Sequence, residues 1–163
     1  MSATRFAGVI NGIPLLVLLF ALVLSGGCGK GDSPEEQVRR FVAAGEEAVE
    51  NRSIGDVRNL ISEEYGDDQG RTRRDLVALT ARYLYANKNI HILTRIDELR
   101  FPEPDRAVLV LFAAMTGQNV SDLDSLLNTQ ADLYRFDLVL RKEEGEWKLL
   151  QADWRRARAE EFF

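Results

Sequence analysis

Residues 136–154 read FDLVLRKEEGEWKLLQADW, and the fold is read outward from them. Phe136, Leu138 and Leu140 alternate with Asp137 and Arg141, and Tyr134 and Arg135 extend the pattern backwards. A period of two is that of a strand with one face in a core. Glu143-Glu144-Gly145-Glu146 then supplies a tight turn with glycine, and Trp147 to Arg156 returns as the last strand. Two such runs joined so closely form an antiparallel hairpin. By simple alternation, Trp147 and Trp154 are expected on opposite faces, with Trp147 in the core and Trp154 a candidate pocket wall.

Two more strands precede the hairpin. Arg106 to Thr116 contains Ala107-Val108-Leu109-Val110-Leu111-Phe112, apolar on both faces, which predicts a central strand covered on both sides. Ile90 to Phe101 is rich in apolar and β-branched residues and is closed by Pro102 and Pro104. Its apolar residues occur in both parities, the pattern a bulge produces. Gly117 to Gln130 is polar and loop-like, with Leu123, Leu126 and Leu127 spaced as one helical turn.

Upstream the period is helical. Ser33-Pro34-Glu35-Glu36 combines a serine cap, a proline at the first helical position and a glutamate three residues after the cap. Val38, Phe41, Val42, Ala48 and Val49 share one face of a helix over 34–51, and Glu35, Glu36, Arg39, Arg40, Glu46 and Glu47 cover the other. Ser53 opens a second, short helix through Val57, Leu60 and Ile61 to about Glu64. Tyr65 to Gly70 is a turn cluster. Thr72 and Asp75 open a third helix over 73–86, with Leu76, Leu79, Tyr83 and Leu84 facing inward. Three helices followed by about four antiparallel strands define an α+β domain, residues 33–163. Such a sheet can curl around the helices and leave a cavity.

This order, with the long final hairpin carrying glycine and then tryptophan, resembles the cone-shaped α+β superfamily of nuclear transport factor two and ketosteroid isomerase. The segment RTRRDLVALTARYL, residues 71–84, is similar to that superfamily's third helix. The resemblance covers nearly all of 33–158. It implies a curved sheet with an internal cavity, on a fold that carries isomerases, dehydratases, hydrolases and non-catalytic binders alike, so the fold alone assigns no function. The isomerase type implies a carboxylate base with a tyrosine and a protonated aspartate as donors. Asp97, Asp137 and Asp153 lie on predicted strands, and Tyr65, Tyr83, Tyr85 and Tyr134 are available, but no motif places them.

The candidate pocket residues are Tyr65, Tyr83, His91, Asp137 and Trp154. His91 is the single histidine and could act as a base, although it stands at the start of a strand. Asp137 either faces a cavity or pairs with Arg135 and Arg141 on a solvated face. No metal site and no cofactor are expected: one histidine and one cysteine cannot build a histidine/cysteine site. Asp67 and Asp68 lack the spacing of a calcium loop. Arg155, Arg156 and Arg158 form a small basic cluster at a solvated end.

The N-terminus sets location. Arg5 precedes a 12-residue apolar run, Ile13–Leu24, followed by Ser25-Gly26-Gly27-Cys28. A spanning helix needs about 20 apolar residues. A weak positive start, a short apolar segment and small residues form a secretory signal. Cys28 resembles the lipidated cysteine of a bacterial lipobox, with Ser25 at the usual leucine position and Leu24 one residue further back. Residues 1–27 are therefore expected to be the signal, and 28–32 the lipidated cysteine and flexible linker. A diacylglyceryl cysteine supplies the two chains that stable anchoring takes. Gly29 resembles the residue following the cysteine in Gram-negative lipoproteins sent to the outer membrane.

Loss of residues 1–27 would remove Arg5 and no acid, leaving 20 basic and 26 acidic residues, a net charge of −6. That balance disfavours nucleic acid, which selects a basic surface. The expected protein is a non-catalytic, membrane-anchored envelope lipoprotein that binds a small apolar ligand or a partner protein, the latter through an apolar patch such as Phe162 and Phe163. The alternatives are an isomerase, dehydratase or hydrolase with a strand carboxylate as base, and a structural subunit of an envelope complex. Cys28→Ser is expected to abolish palmitate labelling and to shift the domain out of the membrane pellet; labelling that survives the substitution would refute the lipobox reading.

Overall fold

The structure is a computed structural model that describes residues 32–117 and 131–162. The signal segment, Cys28 and its linker up to residue 31, the turn through Leu123 to Leu127, and Phe163 lie outside the described residues, as does the side chain of Phe162.

Helix α1 spans Pro34–Glu50. It starts where the sequence places its cap: the Ser33 hydroxyl accepts from the Glu36 N–H at 3.2 Å, and the Glu36 carboxylate accepts from the Ser33 N–H at 2.7 Å. Helix α2 is Ile54–Leu60 and α3 is Arg73–Ala86. At the start of α3 the Asp75 carboxylate accepts from both the N–H and the hydroxyl of Thr72, at 2.9 and 2.7 Å. The second helix ends four residues earlier than its sequence suggests. Ile61 leaves it to bridge Leu149 in parallel, and the N–H groups of Ser62 and Gly66 donate to the carbonyls of Leu149 and Leu150. A sheet edge with unpaired carbonyls outcompetes one more helical turn.

Four strands follow: β1 His91–Glu103, β2 Arg106–Thr116, β3 Asp132–Glu143 and β4 Glu146–Arg156. They form one antiparallel sheet in the order β1-β2-β3-β4. The chain closes on a four-residue helix, α4, Ala159–Phe162. Glu144 and Gly145 both hold positive φ, 51° and 90°, the two-residue turn that matches strand twist. Strand β1 runs through Pro102 instead of stopping before it. It is an edge strand, and an irregularity between Arg100 and Glu103 leaves the proline without a ladder bond to lose.

Two bulges shape the sheet. In β1, Ile96 pairs with Leu111 and Glu98 with Val110, so Asp97 is the extra residue. In β4, Leu149 pairs with Leu140 and Gln151 with Val139, so Leu150 is the extra residue. The second bulge corrects the face assignment made from alternation. It reverses parity between the tryptophans, and both pack against the same core. The bulge in β1 likewise lets Ile96 and Leu99, of opposite parity, face one side.

The main core lies between the helices and the concave face: Val38, Val42, Ile61, Tyr65, Leu109, Leu140 and Trp147 are all buried there. Strand β2 is also covered on its other side, where Val110, Phe112 and Ala114 pack with Leu93, Leu133 and Ala157. The returning tail covers that side through Arg95, which donates to the Glu161 carbonyl at 3.1 Å, and Arg155, paired with the Glu161 carboxylate at 2.6 Å. Arg156 pairs with Asp132 at 3.2 Å, so two arginines of the basic cluster already have partners. From Asp32 onward the chain groups as one compact unit.

Leu140 is fully buried at the centre of this core. Leu140→Ala is expected to destabilise the domain by about 2–5 kcal/mol, the range for emptying a packed leucine site. Urea unfolding should show a lower midpoint with unchanged slope; a change within error of zero would contradict the packing.

Candidate functional site

The core does not fill the whole space under the sheet. Toward the start of β1 and β3 and the ends of β2 and β4, the helices stand away from the strands and a cavity of about 380 Å³ remains. That is within the range of ligand pockets, roughly 300–1,000 Å³.

Each wall follows from an element's periodicity. Helix α1 contributes Phe41, Val42, Gly45, Glu46 and Val49, and α3 contributes Leu76, Leu79, Thr80, Tyr83 and Leu84. The floor is the concave sheet: Ile92 and Thr94, then Leu111, Ala113 and Met115, then Tyr134, Phe136 and Leu138. The register puts them side by side, with Ala113 opposite both Thr94 and Tyr134. Leu149, Ala152 and Trp154 of β4 complete it. The bulge at Leu150 is what brings Leu149 and Ala152 to one face.

An aromatic row forms one side. Tyr134 and Phe136 have ring centroids 6.1 Å apart, and Phe136 and Trp154 are 6.4 Å apart. Behind Trp154, the Arg71 guanidinium lies 4.0 Å from its ring centroid, a cation–π contact. Arg71 is itself held by Asp67, whose carboxylate accepts from the Arg71 Nε at 2.7 Å and the Tyr65 hydroxyl at 3.0 Å. The same carboxylate accepts from the N–H groups of Gln69 and Arg71, both at 3.0 Å. Burial by itself would raise the Asp67 pKa, but these donors outweigh it and hold the group at about 2.

Polar groups on the wall are few. Glu46 Oε1 accepts the Thr94 N–H at 3.0 Å, and one turn later Glu50 Oε1 accepts the Ile92 N–H at 3.0 Å. Helix α1 thereby occupies N–H groups along the edge strand β1 that no neighbouring strand takes. Thr80 donates its hydroxyl to the Leu76 carbonyl at 3.0 Å. Burial, and then the neighbouring Tyr134 and Asp132, push the Tyr83 hydroxyl above its ordinary pKa against the pull of Arg156, so it stays a protonated donor.

The five residues singled out from sequence separate. Tyr83 and Trp154 line the cavity; Tyr65, His91 and Asp137 do not. Tyr65 is buried in the packed core, and burial together with the Asp67 carboxylate raises its hydroxyl well above the usual tyrosine range. His91 is partly exposed, with Nδ1 3.8 Å from Glu50. Asp137 is an exposed partner of Arg135 at 2.8 Å. Glu46, assigned by periodicity to the solvent face of α1, sits on the cavity wall instead. No local signal marks it, because its role depends on where β1 ends. No strand carboxylate lines the cavity, and no cluster of metal-ligating side chains occurs among the described residues.

Neither a family model nor a curated protein matches the sequence. Solved structures match in fold. A proposed scytalone dehydratase from Novosphingobium aromaticivorans aligns with a TM-score of 0.61 at 12% identity, covering 76% of this chain and 84% of the other. A hexachlorocyclohexane dehydrochlorinase from Novosphingobium barchaimii gives 0.57 at 12% identity, covering 76% and 86%. A designed chain of the nuclear transport factor two fold gives 0.58 at 12% identity, covering 76% and 100%. The domain therefore has the cone-shaped α+β fold of that group.

Because Asp67 has a folded pKa near 2 against an ordinary 3.8, its contribution to stability is present above pH 4 and is lost as pH falls through about 2. Asp67→Asn should lower the urea midpoint at pH 7 and flatten the acid-side loss of stability between pH 4 and 2. It should also broaden the near-ultraviolet signal of Trp154 by loosening Arg71. A variant whose acid profile matches that of the unaltered protein would contradict this assignment.

Proposed function

We propose that this chain is a lipid-anchored envelope protein whose domain binds a small apolar molecule without transforming it. The observation that carries the reading is the cavity itself: about 380 Å³ walled almost wholly by aliphatic and aromatic side chains. An unfilled space of that size forfeits packing contacts that a ligand restores. The lipobox resemblance at Cys28 supports tethering at the membrane, with the outer membrane facing the periplasm as the destination in a Gram-negative cell.

The enzymatic alternative draws on the dehydratase and dehydrochlorinase among the structural neighbours. It required a strand carboxylate as base, and the wall offers none; Asp97, Asp137 and Asp153 are all exposed. Likeness at 12% identity carries fold and not chemistry. A partner-binding role would rest on Phe162 and Phe163, whose side chains lie outside the described residues.

Native mass spectrometry of residues 29–163, purified gently without detergent, should show an added mass that is released on unfolding. Ala113→Leu, which extends a floor residue into the cavity, should weaken ligand retention at least about tenfold with little loss of stability. A bare mass, together with no uptake of an apolar dye, would overturn the reading.

A further inference from the structure

Among the described residues the cavity wall carries one formal charge, the carboxylate of Glu46. Glu46 Oε1 is occupied by the Thr94 N–H, while Oε2 has no hydrogen-bond partner among the described residues. A carboxylate can accept about four hydrogen bonds, so Glu46 keeps acceptor capacity beyond the Thr94 N–H. Glu50, one turn away, makes the same kind of edge contact but lies outside the cavity and is exposed. Edge protection accounts for both contacts to β1, but only Glu46 also lines the cavity. Among the described residues, no lysine, arginine or histidine lines the cavity. Tyr83 and Tyr134 also line the cavity and bring hydroxyls but no charge.

Building on the ligand-binding reading above, we infer that the cavity selects amphiphiles with an apolar body and a hydrogen-bond-donating, non-anionic head, an alcohol or an amine, read by the Glu46 carboxylate. Fatty acids and other apolar carboxylates are excluded, because their head would meet a like charge at short range with no cation to offset it.

Residues 32–162 contain both packed clusters and all four described strands, so the test uses the 29–163 chain. N-phenyl-1-naphthylamine, a neutral apolar dye, is bound and then displaced by octylamine, octan-1-ol or octanoate. The amine and the alcohol are expected to displace it at concentrations at least about tenfold below octanoate. Glu46→Gln keeps an oxygen for the Thr94 N–H and should bring octanoate to within about twofold of octan-1-ol. Glu50→Gln, the same charge change outside the cavity, should leave the order intact. Equal displacement by octanoate, an order unmoved by Glu46→Gln, or an equal effect of Glu50→Gln would each overturn the head-group inference while leaving the cavity reading in place. Absence of dye binding would overturn both.

Discussion

One extra residue in the last strand governs the concave face. With Leu150 bulged out, the ladder resumes one residue out of phase, and Ala152 and Trp154 join Trp147 and Leu149 on the same side. Without that shift, the half of β4 after the bulge would turn Ala152 and Trp154 outward, leaving Leu149 as the only β4 residue named on the wall. The bulge at Asp97 in β1 does the same at the opposite edge of the sheet. Bulges increase local twist and bend their strand, so two of them, one near each edge, curve a four-stranded sheet toward its helices.

Curvature then divides the interior. At one end, Leu109, Leu140 and Trp147 meet Val38 and Val42, and the core is packed. At the other, the floor contains the small residues Ala113 and Ala152, and hydrogen bonds hold the helix ends in place. Arg52, in the turn after α1, donates to the carbonyls of Asn87 and Lys88 beyond the end of α3, at 2.5 and 3.1 Å. On the other flank Lys142 holds Gln37 at 2.8 Å. The packed end provides stability and the open end provides space, a division that lets a small domain keep an unfilled volume.

Polar groups in this arrangement serve as struts. Asp67 gathers Tyr65, Gln69 and Arg71, and Arg71 backs Trp154. Glu143 accepts from the buried Ser62 at 2.7 Å and from Arg141, joining the α2–α3 connection to β3. Glu46 differs in that it both ties α1 to Thr94 of β1 and lines the cavity.

Local chemistry in the sequence determined the elements. Ser33 with Glu36 and Thr72 with Asp75 start two helices where capping requires, and Glu144-Gly145 closes the hairpin because a two-residue turn needs positive φ. Periodicity likewise determined that Leu76, Leu79, Tyr83 and Leu84 share an inward face. Tertiary structure decided what depends on partners distant in sequence. Ile61 leaves its helix only because Leu149 is beside it, and Leu150 bulges only against the register of β3. Hence Tyr65 and Asp137 could be recognised as tyrosine and aspartate near a sheet but not as core and surface. Glu46 could be placed on a helix but not at a cavity. A side chain's face is a local property only while the ladder stays in phase, and in this sheet it does not.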